Sequence, residues 1–243
     1  MMKHPDIRMG EDAYAREREW HQGLPWTAAP AETAQSLWDI GSVIRLCGCA
    51  KGSTVLDLGC GPGWTSWFLR KCGYRVINVD ISFQMLVMSR ARDDQAPPAV
   101  PVAANGERLP FRANKFDAVV VYDALHHMPD VPAVIRECWR VLKPGGTITI
   151  GEPGLIHNLS PSARAIARRT GVLEKGFARI QLQWILLVAG FRAVRHHHRG
   201  EITGTRLLSF LSLIAGFMLE PLLPRRKLWL AASKPTATER PAP

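Results

Sequence analysis

No secretory leader is expected in this sequence. Its opening, Met1-Met-Lys-His-Pro-Asp-Ile-Arg-Met-Gly-Glu-Asp12, is polar and offers no apolar core for export. A disulfide frame is missing too. The five cysteines (Cys47, Cys49, Cys60, Cys72 and Cys138) are odd in number and lack metal-ligand spacing. They suit buried thiols in a reducing compartment, so a cytoplasmic protein is expected. No internal repeat is visible. The uncharged run Leu207–Leu219 has 13 residues, short of the roughly 20 that span a bilayer. His196-His-His198 is a dense histidine run, but alternation along a strand splits neighbours between faces, so no metal is expected.

Acidic residues are scarce at one end only. Residues 1–162 hold 17 Lys and Arg against 17 Asp and Glu, while residues 163–243 hold 14 against 4. The whole excess of +10 therefore sits in the last third. Such a surface suits an anionic partner (nucleic acid, lipid headgroups or an acidic substrate), or is simply a basic solvated face. With 47% hydrophobic and 21% charged residues, the chain is otherwise an ordinary globular protein. Its 243 residues allow one large domain, or a domain with a cap.

What the sequence does contain is a strand, a glycine turn and a helix in close succession. Thr54–Leu58 is a short apolar run fit for a buried parallel strand; Gly59, Gly61 and Gly63 follow, and a helix begins near Trp64. Such glycines let a ligand approach the backbone, and the helix start offers N–H donors. A second apolar run, Arg75–Val79, carries Asp80 to the end of the neighbouring strand, where a carboxylate can grip ribose hydroxyls. A dinucleotide fingerprint would need glycine at the sixth position from Gly59, and Trp64 stands there. Further strands at Val100–Ala104, Phe116–Val121 and Thr147–Ile150 alternate with helices at Phe83–Arg92 and Val131–Leu142. That alternation predicts an α/β, doubly wound, mostly parallel sheet.

The pattern Asp57-x-Gly59-x-Gly61-x-Gly63 resembles motif I of the class I S-adenosylmethionine-dependent methyltransferases. Two further stretches, Gly106–Asp130 and Leu142–Ile150, are similar to the small-molecule, type 11 branch of that family, and the likeness runs over about residues 54–153. The resemblance implies a Rossmann-like seven-stranded sheet with an antiparallel edge strand and S-adenosyl-L-methionine as cofactor. It implies a cofactor site of Asp57, Gly59, Gly61, Gly63, Asp80, Ile81, Asn105, Gly106, Glu107 and Tyr122. Asn105 stands where the family commonly has Asp, and its side-chain carbonyl still accepts from the adenine amine.

Methyl transfer from a sulfonium is an in-line displacement, in which alignment can supply ~7–11 kcal/mol. A general base adds about 10²–10⁴-fold where the acceptor must lose a proton. Asp123, His126, His127 and Glu152 fall after strands 4 and 5; His127 is the first candidate catalytic residue and Glu152 the second. Alternatively, Leu125-His-His127 orders its loop through ring N–H groups. Base-amino methyltransferases carry an Asn/Asp-Pro-Pro-aromatic run after strand 4; here Tyr122-Asp-Ala-Leu125 replaces it, which counts against a nucleic-acid substrate.

Beyond strand 5, Ser160–Thr170 reads as a basic helix, Gly171–Lys175 as a loop, and Phe177–Ala189 as a helix. Phe191–His197 and Leu228–Ser233 read as strands 6 and 7. Between them, residues 204–227 form a hydrophobic insertion: an interfacial anchor or lid over a greasy acceptor, or a buried helix or dimer contact. The expected division is an N-terminal helical cap over 1–45, a methyltransferase domain over 46–234 and a disordered tail over 235–243. Trp20 and Trp26 either roof the cofactor site or pack behind the sheet. The expected function is methyl transfer to a small-molecule acceptor, with lipid- or glycan-linked molecules among the candidates, by a cytoplasmic enzyme that is either free or peripheral to the inner membrane face. A quinone-type C- or O-methyltransferase and a non-catalytic cofactor-binding protein are the alternatives.

Overall fold

The computed structural model describes residues 30–91, 99–197, 227–236 and 238. The expectations for Trp20, Trp26, residues 204–226, His198 and most of the tail lie outside those residues. The apolar runs become strands β1 (Thr54–Leu58), β2 (Arg75–Asp80), β3 (Val100–Ala103), β4 (Phe116–Tyr122) and β5 (Leu142–Pro153). β6 (Arg192–His197) and β7 (Lys227–Ser233) complete a seven-stranded sheet of order β3-β2-β1-β4-β5-β7-β6. β1 to β5 pair in parallel, and β7 runs antiparallel to both of its neighbours. β7 is thus antiparallel, as expected, but stands one place in from outermost β6.

Helices α1 (Pro30–Cys47), α2 (Trp64–Lys71), α3 (Phe83–Ala91), α4 (Val131–Val141), α5 (Pro161–Thr170) and α6 (Arg179–Val188) flank the strands. Side chains alternate between the two faces of a strand, and the core divides accordingly. Leu56, Leu58, Val119, Val121, Ile148 and Ile150 pack with Val134, Ile135 and Cys138 of α4 and with Leu182 and Leu186 of α6. Val55, Val76, Ala118, Val120 and Trp229 form a second core with Val43 and Cys47 of α1 and Leu69 of α2. α1 continues through residue 45 and lies on β4 and β5. Among the described residues, no helix is long and apolar enough to cross a membrane.

Two elements, β5 and α6, moved by more than one residue. β5 begins at Leu142 because Leu142 pairs with Phe116 before the register jumps to Thr147 opposite Ala118, with 143–146 bulging between. α6 begins at Arg179 because Phe177, 2% exposed, is taken up by a bridge to Gly154. The strand order reverses on either side of β1, and the carboxyl ends of β1, β2, β4 and β5 line one edge there. Open α/β sheets bind their ligands at such a switch point.

Candidate active site

The turn after β1 folds as it does because three residues have positive φ, at Gly59 (+71°), Gly61 (+50°) and Gly63 (+83°). Two of them are crowded: a Cβ at Gly59 would lie 2.4 Å from the Ala124 Cβ, and one at Gly63 would lie 2.2 Å from Ser89 Oγ. Nothing lies within 4 Å of a Cβ placed on Gly61, so this is the open side of the turn. The N–H groups of Gly59 and Cys60 donate to the Val79 carbonyl, at 2.8 and 3.0 Å. The Asp80 carboxylate holds the turn from β2, accepting from the Gly61 N–H (2.8 Å) at Oδ2 and from the Ser82 N–H (2.9 Å) at Oδ1. The predicted acid therefore meets the predicted glycine turn, and Ile81 beside it is 49% exposed.

Asp57 lies beneath this turn, 1% exposed, with the Ser66 hydroxyl donating to its Oδ2. Burial pushes its carboxyl up to about 7, with the Ser66 hydrogen bond opposing and the Asp80 charge adding to the rise. Past β3, the Glu107 N–H donates to the side-chain Oδ1 of Asn105 (2.8 Å), which fixes the segment 105–107 as a tight turn. Gly106 lies against Leu58 and Met128, and the Glu107 Oε1 accepts from the Asp130 N–H at 3.0 Å. Tyr122 turns the other way. Its hydroxyl donates to Asp39 of α1 at 3.1 Å and its ring stacks on Trp229, so it belongs to the face that α1 covers.

Beyond Tyr122 the chain reverses through Asp123 (φ +54°), whose carboxylate takes Lys227 at 2.6 Å. The turn that follows is built on Glu152 of β5. Glu152 is fully buried; its Oε1 accepts from the Ala124 and Leu125 N–H groups and its Oε2 from the His126 N–H. His126 Nδ1 adds a fourth donor at 2.8 Å to Oε2. Burial pulls the His126 pKa down, but its bond to Glu152 and the charges of Glu152, Asp123 and Glu174 raise it on balance. His127, its side chain 34% exposed, donates from Nδ1 to the Leu173 carbonyl at 2.8 Å. Burial and then the His126 charge hold its pKa below the ordinary value. Glu174 closes the group, with His157 Nε2 at 2.7 Å, His126 Nε2 at 3.8 Å and His127 Nδ1 at 3.9 Å.

Ser66, Glu174 and His157 escaped the sequence reading. Glu174 carried one signal: it is among only 4 acids in the strongly basic last third, and it sits in a loop. A β2 carboxylate latched to a glycine turn at the switch point of such a sheet is an arrangement able to hold a nucleoside ligand. Over residues 56–150, under half of its length, the chain is similar to a family described as "Methyltransferase domain", type 11.

Over 102 residues it is 40% identical to a demethylmenaquinone methyltransferase of Corynebacterium kroppenstedtii, covering 42% of each chain. Over 118 residues it is 32% identical to a ubiquinone biosynthesis O-methyltransferase of Xanthomonas oryzae pv. oryzae, covering 48% of each. The aligned part is thus under half the length of these relatives. Among solved structures, phosphoethanolamine N-methyltransferase 2 of Haemonchus contortus bound to S-adenosyl-L-methionine superposes with a TM-score of 0.64 at 22% identity. That match covers 92% of this chain and 57% of the other, and it is a likeness of fold.

Proposed function

We propose that this chain binds S-adenosyl-L-methionine across the tips of β1 and β2 and transfers its methyl group to a small-molecule acceptor, of which a quinone-type ring is the favoured class. The observation that carries the reading is the Asp80 carboxylate engaged to Gly61 on the open side of the glycine turn. A carboxylate offers about four acceptor positions, and there the ribose hydroxyls donate to Asp80. Asn105, Gly106 and Glu107 meet the adenine, and Gly59, Gly61, Gly63 and Ile81 line the rest. Asp57 and Tyr122 support the site from beneath and behind.

His127 meets the acceptor. Glu152, whose oxygens are occupied by four N–H groups, is a positioning residue that acts through His126 and the turn 124–126. The quinone class rests on the printed activities of the two relatives, one acting on demethylmenaquinone and the other in ubiquinone biosynthesis. Acceptors linked to a lipid or glycan, and a peripheral membrane contact through residues 204–227, belong to the same proposal.

Calorimetry with the purified full chain tests the first half. S-adenosyl-L-methionine binds, and Asp80→Ala weakens it by about 10–100-fold, the worth of one or two hydrogen bonds to a charged group. Labelled methyl donor with isoprenoid hydroxyquinols tests the second. Methylated product supports the enzyme, binding without turnover on any acceptor favours the non-catalytic alternative, and no binding at all overturns the reading.

A further inference from the structure

One cluster has more capacity than holding a turn requires. His126, His127 and Glu174 each bring one ligand-type atom within 4.8 Å of the others. His126 and Glu174 are almost fully buried, each side chain 5% exposed, whereas the His127 ring opens to solvent at 34%. We propose that these three residues bind a divalent first-row transition cation.

His126 is the first of the three ligands. Its Nδ1 donates to Glu152 at 2.8 Å, so the neutral ring, the form an ion would select, carries its lone pair on Nε2, which faces Glu174 Oε2 at 3.8 Å. A buried carboxylate behind an imidazole is the arrangement that orients metal-binding histidines and makes them more basic. Glu174 supplies an oxygen from the opposite side of the cluster. His127 Nδ1 lies 3.9 Å from its Oε1 but now donates to the Leu173 carbonyl, so this ring must turn to offer a lone pair, while His157 Nε2, 2.7 Å from its Oε2, holds the carboxylate in place.

The loop that carries Glu174 is pinned to the histidine turn. The Lys175 N–H donates to the His126 carbonyl (3.2 Å), and its Nζ donates to the carbonyls of Met128 and Pro129. That ammonium is therefore engaged on the loop backbone. Two imidazoles and a carboxylate form a borderline nitrogen and oxygen set, suited to zinc, iron or cobalt rather than to magnesium. Ligand atoms now up to 4.8 Å apart draw together on an ion, and His127, being partly exposed, has room to turn its ring.

Three protein donors leave coordination positions open. The turn that bears the histidines also presses Ala124 and Met128 against Gly59, so an ion with such open positions would be held beside the glycine turn. An acceptor hydroxyl or carbonyl oxygen is the ligand that would fill them. That role rests on the methyl-transfer reading above; the binding of the ion does not.

The test uses tag-free full chain stripped with chelator and titrated with Co²⁺ alone, read by visible absorption, with metal content measured after dialysis against Zn²⁺. We expect one equivalent per chain, a ligand-field band in the visible, and a melting temperature raised by at least about 2 °C. Outer-shell changes alone cost roughly 10–100-fold in affinity, so loss of the direct ligand in Glu174→Gln should weaken Co²⁺ by about 100-fold or more. His127→Ala, at a partly exposed position, is the second variant and should lose the band while the protein stays folded. Absence of a band and of retained zinc in the unaltered protein overturns the site and leaves a network of hydrogen bonds and protons only. Cofactor calorimetry in excess chelator keeps the two readings apart, since cofactor binding without cobalt sinks only the metal, and cobalt without cofactor sinks only the methyltransferase.

Discussion

At the scale of single residues, the three glycines of the first turn do different work. Gly59 and Gly63 are required by their neighbours, Ala124 and Ser89, whereas Gly61 is required by its own backbone and by the space in front of it. Alanine in the left-handed region costs about 1–2 kcal/mol wherever it is placed. At Gly59 a further ~1–3 kcal/mol of overpacking is added, because Ala124 is itself held by Glu152 and cannot retreat. Denaturant melts should therefore rank Gly59→Ala well below Gly61→Ala in stability, while cofactor calorimetry ranks them the other way for the affinity left per folded molecule. Equal stability losses would mean that the Ala124 contact is slack. The glycines and Asp80 were legible in the sequence because they fall within about 25 residues of one another and each residue type has a local reason, whereas the crowding by Ser89 and Ala124 was not. Glu174 was not legible. It lies 48 positions beyond His126, in a loop with no period of its own, and only the folding of α5 and α6 around it brings it to the histidines.

Among the elements, β7 is fixed at both of its ends by charge. A lysine stands at each end. Lys227 reaches Asp123 at the carboxyl edge and lies over the Tyr122 ring at 4.3 Å. At the other end, Lys234 is 2% exposed and donates to Asn114 Oδ1 (2.8 Å) and to the carbonyls of Trp139 (2.8 Å) and Leu142 (2.7 Å). Its ammonium ties the end of β7 to the end of α4 and the start of β5. Lys234→Met keeps the length of the side chain but strands those acceptors in a buried site, and should lower the unfolding free energy by about 2–4 kcal/mol in urea titrations. Lys143→Met is the comparison: its 2.7 Å pair with Asp117 is 43% and 30% exposed, so the loss should stay under about 1 kcal/mol. The sequence placed β7 by its apolar run, but the role of Lys234 could not be read from it. A lysine next to a strand end is ordinarily solvated, and only the sheet order carries this one over α4.

For the molecule as a whole, residues 54–153 were legible because each strand, turn and helix there follows a pattern whose period is set locally. The last third was read for its elements alone, since a basic composition describes a surface and says nothing of which long-range contacts form. The fold also places a carboxyl beneath its own ligand turn, and global stability should show it. The folded-state pKa of Asp57, about 7, lies above its ordinary value of 3.8, so the folded state holds the proton more tightly than the unfolded chain does. Asp57 therefore contributes its full stability below about pH 4 and loses it progressively as the pH rises to about 7, after which it adds no further change. The shift corresponds to a ceiling of ~4 kcal/mol. Carboxyls held low act with the opposite sign and in a different window: Asp123, kept at about 2 because Lys227 outweighs the cost of its burial, and Asp117 and Glu137 lose stability only in strong acid. His126, whose pKa is raised, works in the same direction as Asp57 but is untouched by a change at residue 57. Urea unfolding of the unaltered protein should thus give a lower free energy near pH 8 than near pH 5, and Asp57→Asn should flatten that slope. An unchanged slope in the variant would mean that the carboxyl is ionised in the folded protein, balanced by donors from the turn, and that the turn above it carries more positive potential than burial alone provides.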